Sequence, residues 1–387
     1  MKAKLIRITT VPVSFNLLLR HQLSFMKEHY DVIAVSSPGD ELAELAARES
    51  VTTVPVSMTR SITPLQDLKA LWQLYRLFRK EKPGIVHTHT PKAGLLGMTA
   101  AWLARVPVRL HTVAGMPLLK TSGSKRVLLN FIERCTYSFA HQIYPNSFEL
   151  GKIIIRHRYC PPSKLKVIGK GSSNGIDTSY FSPGSVTESR KQALRQELAL
   201  APGARVFCFS GRIVADKGIN ELVAAFTRLI NEFPDVRLVL VGWKEDHLDP
   251  LKGATADSIN NHPAITWVGY QSDIRPYLAI SHALVFPSYR EGFPNVPMQA
   301  GAMGLPCIVS DINGCNEIVL HERNGLLVPP KDVEALYLAM RLLLTDSGLY
   351  SRLAANAREM ITGRFDQLFI WQCILEEYRE QILKSAN

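Results

Sequence analysis

Two short segments carry residue types that could do chemistry. The first, FCFSGRIVADKGI, places Ser210, Gly211, Arg212 and Lys217 directly after a strand-like run. Glycine lets backbone approach a ligand closely. Arginine offers a planar fork and lysine a point charge, both suited to phosphate. Two cations five positions apart after a strand could grip a diphosphate; the plainer alternative is a pair of surface cations near a turn. The P-loop spacing Gly-x-x-x-x-Gly-Lys-[Ser/Thr] is absent.

The second segment, PSYREGFPNVPMQAGAMGLP, follows another strand-like run. Its Gly-Phe-Pro-Asn corner predicts a helix opening near Asn295 or Val296. A helix N-terminus presents free N–H groups and partial positive charge, a place for the same diphosphate. Glu291 sits in the corner just before it, where a carboxylate could bind sugar hydroxyls or cap the helix. Gln299 follows eight positions later, and the small residues beyond it read as helix-packing positions.

Other candidates are weaker. His111, in RLHTVAG, sits at the end of a strand-like run and is a cleft candidate or a structural residue. His87 and His89, in IVHTHT, share a strand face but have no ligand partners at metal-binding spacing, so hydrogen-bonded structural histidines are expected. VIGKGSSNGID resembles a nucleotide fingerprint only superficially and reads as a loop between domains. There is no Asp-x-Asp, no Gly-x-Ser-x-Gly and no His-Glu-x-x-His. The six cysteines are scattered without a Cys-x-x-Cys pair, which suits a reducing cytosol and argues against a zinc site.

The elements that must hold these residues alternate in type. AKLIRITT, YDVIAVSS, GIVHTHT, VRLHTVAG, HQIYPNS and LKVIGKG read as strands separated by helical stretches. The pattern breaks in SYFSPGSVTESRKQALRQELALAPGA and resumes with RVFCFSGR, VRLVLVGW, AITWVGYQ, HALVFPS and LPCIVSD. Such alternation predicts an α/β chain of two parallel-sheet domains, residues 1–180 and 181–365, followed by a helical segment 366–387. Ligands of open α/β sheets bind at the carboxyl ends of strands, where the candidates lie. No apolar stretch is long enough to span a bilayer, and the N-terminus reads as a first strand and helix instead of a signal peptide.

The net charge of +11 is uneven. Residues 1–180 hold 25 Lys+Arg against 11 Asp+Glu, or +14; residues 181–387 hold 20 against 23, or −3. A basic first half suggests phosphates, a membrane surface or nucleic acid, or else a face tuned for solubility. Aromatics are not interleaved with basic runs as in a nucleic-acid module, so no nucleic acid is expected.

Taken together and in order, SGRIVADKG, NGID followed by YFSP, VGY before DIRPYLAISHALVFPSYREGFPN, GLPCIVSDINGCNEIV and NGLLVPP resemble the family 4 retaining glycosyltransferases of the GT-B fold. The likeness is to their bacterial surface-polysaccharide branch. It implies two Rossmann-like domains facing across a cleft, with the C-terminal helix crossing back to the first. It also implies a UDP-sugar donor, no metal or other cofactor, and a saccharide acceptor, including polyprenyl-diphosphate-linked ones. By the resemblance, Arg212 and Lys217 hold the donor diphosphate, helped by Gly211 and the amides near Asn295 and Val296. Tyr270 lies beside the base, Glu291 faces the donor sugar, and His111 lies near the reaction centre. Gln299 stands where the family has a ribose-binding glutamate. TTVPVSFNLLL departs from the family's Gly-rich first loop; Ser14 there and Asn174 in NGID are the acceptor-side candidates. Retention without an evident nucleophile points to a front-face displacement. A cytoplasmic protein lying peripherally on an anionic membrane surface is the matching expectation. The competing readings are a soluble acceptor, a nucleotide-sugar epimerase and a sugar-nucleotide-binding protein without turnover.

Overall fold

Short, largely apolar runs bounded by turn residues suit strands buried on both faces. VFCFS, IVHT, ALVF and CIVS are such strands, with every residue buried, His87, Thr88, Ser210 and Ser310 included. The computed structural model describes residues 2–116, 123–245 and 249–386. The chain divides into two units: Met1–Gly175 with Gln367–Asn387, and Ile176–Asp366.

The first unit holds β1 (Lys4–Ile8), β2 (Asp31–Ser36), β3 (Thr52–Pro55), β4 (Ile85–Thr88), β5 (Val108–Val113) and β6 (Gln142–Pro145), in the order β3-β2-β1-β4-β5-β6. The second holds β7 (Val206–Ser210), β8 (Arg237–Val241), β9 (Ile265–Trp267), β10 (Ala283–Phe286), β11 (Cys307–Ser310) and β12 (Gly325–Val328), in the order β12-β11-β10-β7-β8-β9. All pairings within both sheets are parallel. Each sheet is a doubly wound Rossmann sheet. Its strand order reverses between β1 and β4 in one unit, and between β7 and β10 in the other. A crevice opens at the carboxyl ends of the strands on either side of such a point.

The C-terminal helix Gln367–Ala386 belongs to the first unit. It buries Ile370, Ile374, Leu375 and Tyr378 in the same cluster as Leu5, Leu23 and Tyr144. The opposite side of this sheet is covered by helices that include Pro64–Glu81 and Pro91–Leu103.

Three sequence expectations differ from the structure. LKVIGKG forms no strand. Leu165 makes only an isolated bridge to Ile143, because Gly169 and Gly171 take positive φ and turn the chain away from the sheet edge. β3 and β12 are strands that the alternation did not mark: β3, TTVP, has both ends exposed and ends in proline, and β12, GLLV, lies between Asn324 and the Pro329–Pro330 pair. The segment read as an interdomain break contains a helix, Glu188–Glu197, whose first turn is capped by Thr187 Oγ1 accepting from the Arg190 amide.

Candidate functional site

In the second unit the candidates gather at the carboxyl ends of β7 and β10. Ser210 ends β7, and the chain passes through Gly211 and Arg212 to Lys217. Gly218, at φ 73°, then closes the turn; a Cβ there would stand 2.1 Å from the Pro287 carbonyl oxygen. That contact packs the loop after β7 against the loop after β10. The second loop delivers Glu291, and Lys217 Nζ donates to Glu291 Oε1. Both members of this pair are largely buried. Asn313 holds the corner from the far side, its Nδ2 donating to the carbonyls of Glu291 at 3.1 Å and Gly292 at 2.9 Å.

Arg212 sits at the edge of the same crevice. Its Nη1 donates to Glu245 Oε2 at 2.7 Å, and its Nη2 lies 3.8 Å from Asp216 Oδ1. Partial burial works against the guanidinium charge. The bond to Glu245 and the charges of Glu245, Asp216 and Glu291 outweigh it and raise the pKa. Arg290 pairs with the other oxygen of Asp216. Three cations therefore face three carboxylates, and the exposed pairs among them hold weakly in water. An incoming diphosphate could replace Glu245 on Arg212 at little cost.

The helix Asn295–Ala302 starts as expected. Its N-cap, Pro294, makes no side-chain hydrogen bond to the first turn. The first-turn amides at Asn295 and Val296 therefore stand at the positive end of the helix dipole without a capping side chain from Pro294. Gln299 lies on the Asn295 side of this helix, four residues on, and is half-buried. The small residues after it do pack: a Cβ on Gly301 would stand 2.6 Å from Ile361 Cγ1. Tyr270, after β9, is exposed and lies against the exposed Trp243, with ring centroids 4.8 Å apart.

Sequence reasoning missed Asp216, Glu245, Arg290 and Trp243. Asp216 and Arg290 lie inside the two quoted segments, where a charge inventory would have found them. Trp243 has the signal of an aromatic just after a strand, in VRLVLVGW. Glu245 carries no signal in the sequence, since only folding brings it to Arg212.

The first unit holds its candidates in a different state. His111 lies within β5, two residues before its end, and is buried. Its Nδ1 is 2.7 Å from Thr88 Oγ1, and its ring packs 5.9 Å from that of Tyr137. Burial lowers its pKa to about 4, so it is neutral at pH 7. Ser14 is buried in the helix Val13–Leu18 after β1. Asn174 is engaged within the unit: Oδ1 accepts from Gln22 Nε2 at 2.9 Å and Trp371 Nε1 at 2.8 Å, and Nδ2 donates to the Arg20 carbonyl at 3.0 Å.

His87 and His89 are hydrogen-bonded, as expected, around a fully buried Arg7. Tyr378 of the C-terminal helix accepts from Arg7 Nη1 at 2.8 Å and meets His87 Nδ1 at 2.6 Å. Arg7 Nε donates to His89 Nε2 at 2.9 Å, which leaves His89 Nδ1 as the protonated nitrogen. Burial, then neighbouring positive charge, holds both imidazoles well below the usual histidine range. A cavity of about 10 Å³ adjoins this group. His89 Nδ1, Asn146 Oδ1 and Ser173 Oγ are buried there without a partner among the described residues. One water fits the space and the donor–acceptor set.

Comparison with known proteins places this arrangement. Residues 190–360 match the family model described as glycosyl transferases group 1, and residues 20–171 match the glycosyl transferase 4-like domain. The chain is 31% identical over 387 residues to the capsular polysaccharide biosynthesis glycosyltransferase CapM of Staphylococcus aureus, covering 99% of this chain and 98% of that protein. It is 32% identical over 313 residues, 80% of this chain and 79% of the relative, to the UDP-Gal:alpha-D-GlcNAc-diphosphoundecaprenol alpha-1,3-galactosyltransferase of Escherichia coli. Among solved structures, Anabaena Alr3699/HepE in complex with UDP and glucose superposes with a TM-score of 0.80 at 19% identity, over 98% of this chain and 100% of that one. The fold is that of the GT-B glycosyltransferases.

Proposed function

The chain belongs to the group 1, family 4-like glycosyltransferases, and from that membership we propose that it transfers a hexose or N-acetylhexosamine from a UDP-sugar, with retention, to a saccharide carried on polyprenyl diphosphate. The family and the CapM likeness make it a glycosyltransferase of bacterial surface polysaccharide synthesis. The donor class and the lipid-borne acceptor draw on the diphosphoundecaprenol galactosyltransferase named above.

One observation carries the chemistry: Lys217 meets Glu291 at the strand-order reversal of the second unit, next to the uncapped start of the helix Asn295–Ala302. Breaking the bond between the anomeric carbon and the diphosphate oxygen concentrates negative charge on the leaving group. Lys217, Arg212 and the Asn295 and Val296 amides are oriented donors for that charge, the role a metal ion plays elsewhere. Glu291, held by Lys217 and Asn313, then faces the sugar. In a front-face displacement the acceptor hydroxyl attacks from the side the diphosphate leaves, and a diphosphate oxygen takes its proton. In this reading the exposed Tyr270–Trp243 pair would meet the nucleobase, and Gln299 would meet the ribose, as the family likeness implies. His111, neutral at pH 7, suits a hydrogen-bonding role instead of a charged one.

No helix among the described residues is long and apolar enough to cross a membrane. We read the lipid-borne acceptor as one met by peripheral docking on the inner face of the membrane, a location suggested by the diphosphoundecaprenol-linked substrate in the name of the Escherichia coli relative.

The test is a screen of UDP-hexoses and UDP-N-acetylhexosamines for UDP release that depends on a polyprenyl-diphosphate-linked acceptor. One donor should give acceptor-dependent release and an α-linked product. Release indifferent to every such acceptor, or conversion of the sugar nucleotide alone, would point away from this reading.

A further inference from the structure

The helix Pro64–Glu81 carries Leu65, Leu68 and Trp72 on one outer face, and they are 86%, 65% and 57% exposed. Spacing of three and seven residues puts them in one stripe. The helix Gly123–Phe139 exposes Val127, Leu128 and Phe131 in the same way, 68% for Val127 and 64% for Phe131. The helix Pro91–Leu103 packs against both and lies between them. Each of the two outer helices starts at the carboxyl edge of the sheet, because each leads a parallel crossover. Their apolar residues occupy the first halves, so the two stripes lie near the edge that carries the acceptor-side candidates. Ile62, just before the first helix, is exposed as well.

Charge separates the possible occupants. Every exposed ionisable side chain described on these two helices is a cation: Lys69, Arg76, Arg79, Lys80 and Arg134. Their acids are withdrawn. Asp67 pairs with Lys92 at 2.6 Å, Glu81 pairs with Lys4, and Glu133 is buried. A second copy of the chain, docking by two-fold symmetry, would set this cationic rim against itself. A bilayer with anionic headgroups attracts the rim and accepts leucine, phenylalanine and tryptophan at its interface.

We propose that this face of the first unit, formed by Leu65, Leu68 and Trp72 with Val127, Leu128 and Phe131, inserts shallowly into an anionic lipid surface. The proposal rests on the reading of a lipid-borne acceptor, which it would bring to the carboxyl edge of the sheet. Shallow insertion of apolar side chains beneath a ring of cations makes binding depend on both lipid charge and salt.

The full chain is sedimented with phosphatidylglycerol–phosphatidylcholine vesicles and with phosphatidylcholine vesicles, at low and high salt. Binding should favour the anionic vesicles and weaken with salt. The triple variant Leu65→Glu, Leu68→Glu, Phe131→Glu, checked for an unchanged melting curve, should partition about tenfold less or weaker. Its turnover of a short-chain, water-soluble acceptor should stay at the wild-type level. Trp72→Phe should remove most of the fluorescence quenching that brominated lipids cause. Undiminished binding by the triple variant overturns the proposal. So does a wild-type dimer that the three substitutions dissociate without any vesicle binding, which assigns the face to a second copy. Patch-dependent vesicle binding by a protein that transfers sugar to no acceptor would keep the surface and remove the functional reading instead.

Discussion

Lys217 and Glu291 lie 74 positions apart in sequence and form one buried ion pair across the strand-order reversal of the second unit. The pair fixes which way each side chain can act. In the proposed reading, Lys217 would share its remaining protons with the donor diphosphate, and Glu291 would face the sugar it carries. Glu291→Gln should therefore lower transfer roughly tenfold to a hundredfold while changing UDP affinity little. Steady-state rates set beside calorimetric titration with UDP check this; equal losses in both would make Glu291 a support for the loop alone.

Gln299 replaces a glutamate that the family resemblance places at the ribose. An amide keeps one acceptor and adds a donor, so it can still engage two vicinal hydroxyls. A charged hydrogen bond is worth up to about twice a neutral one, so the exchange is on the order of 1 kcal/mol. Gln299→Glu is expected to stay within roughly tenfold of wild-type activity, and Gln299→Ala to raise the donor KM more than it lowers kcat. An alanine variant with unchanged donor KM would return this residue to helix packing.

Most of the frame was legible because parallel strands buried on both faces are mostly apolar along their length. Alternation of VFCFS, RLVLV and ALVF with amphipathic helices is visible without coordinates. The helix start at Asn295 was legible from its Pro-Asn corner. The edge strands β3 and β12 were not: TTVP is half-exposed and ends in proline, and GLLV is hidden between turn-forming Asn324 and the Pro329–Pro330 pair. Nor were the carboxylates around Arg212. Glu245 is 33 residues away in sequence, and only the side-by-side placement of β7 and β8 brings it near. The buried Arg7 cluster was hidden for the same reason: its partner Tyr378 comes from 371 residues further along.

Stability of the first unit should fall with acid. His111 is buried and neutral with a folded pKa of about 4, below the ordinary value of 6.5. Between those values the unfolded chain takes up a proton that the folded one does not, so stability drops as pH falls. His87 and His89 shift in the same direction. His111 alone accounts for roughly 3 kcal/mol, fully present above pH 6.5 and lost progressively down to about pH 4. Denaturant titrations across this range should show that slope, and His111→Gln should flatten part of it. A flat profile would mean that the imidazole gains protons in the folded state as readily as in the unfolded.

Gly218 joins the two loops that meet at the ion pair. Its φ of 73° and the 2.1 Å approach of a Cβ to the Pro287 carbonyl leave no room for a side chain. Gly218→Ala should destabilise the second unit by about 2–4 kcal/mol and separate Lys217 from Glu291. Calorimetric melting measures the first effect; a Tm equal to wild type would show that the loops reseat freely.

The most direct measurement is single-turnover transfer from a UDP-sugar by Lys217→Ala and Arg212→Ala, with the anomeric configuration of the product read by NMR. Each substitution removes an oriented donor to the leaving diphosphate, worth about 3 kcal/mol, so each should slow transfer roughly a hundredfold and leave the α-configuration unchanged. Near-normal rates from both folded variants, or a product of inverted configuration, would contradict the roles given to these two cations.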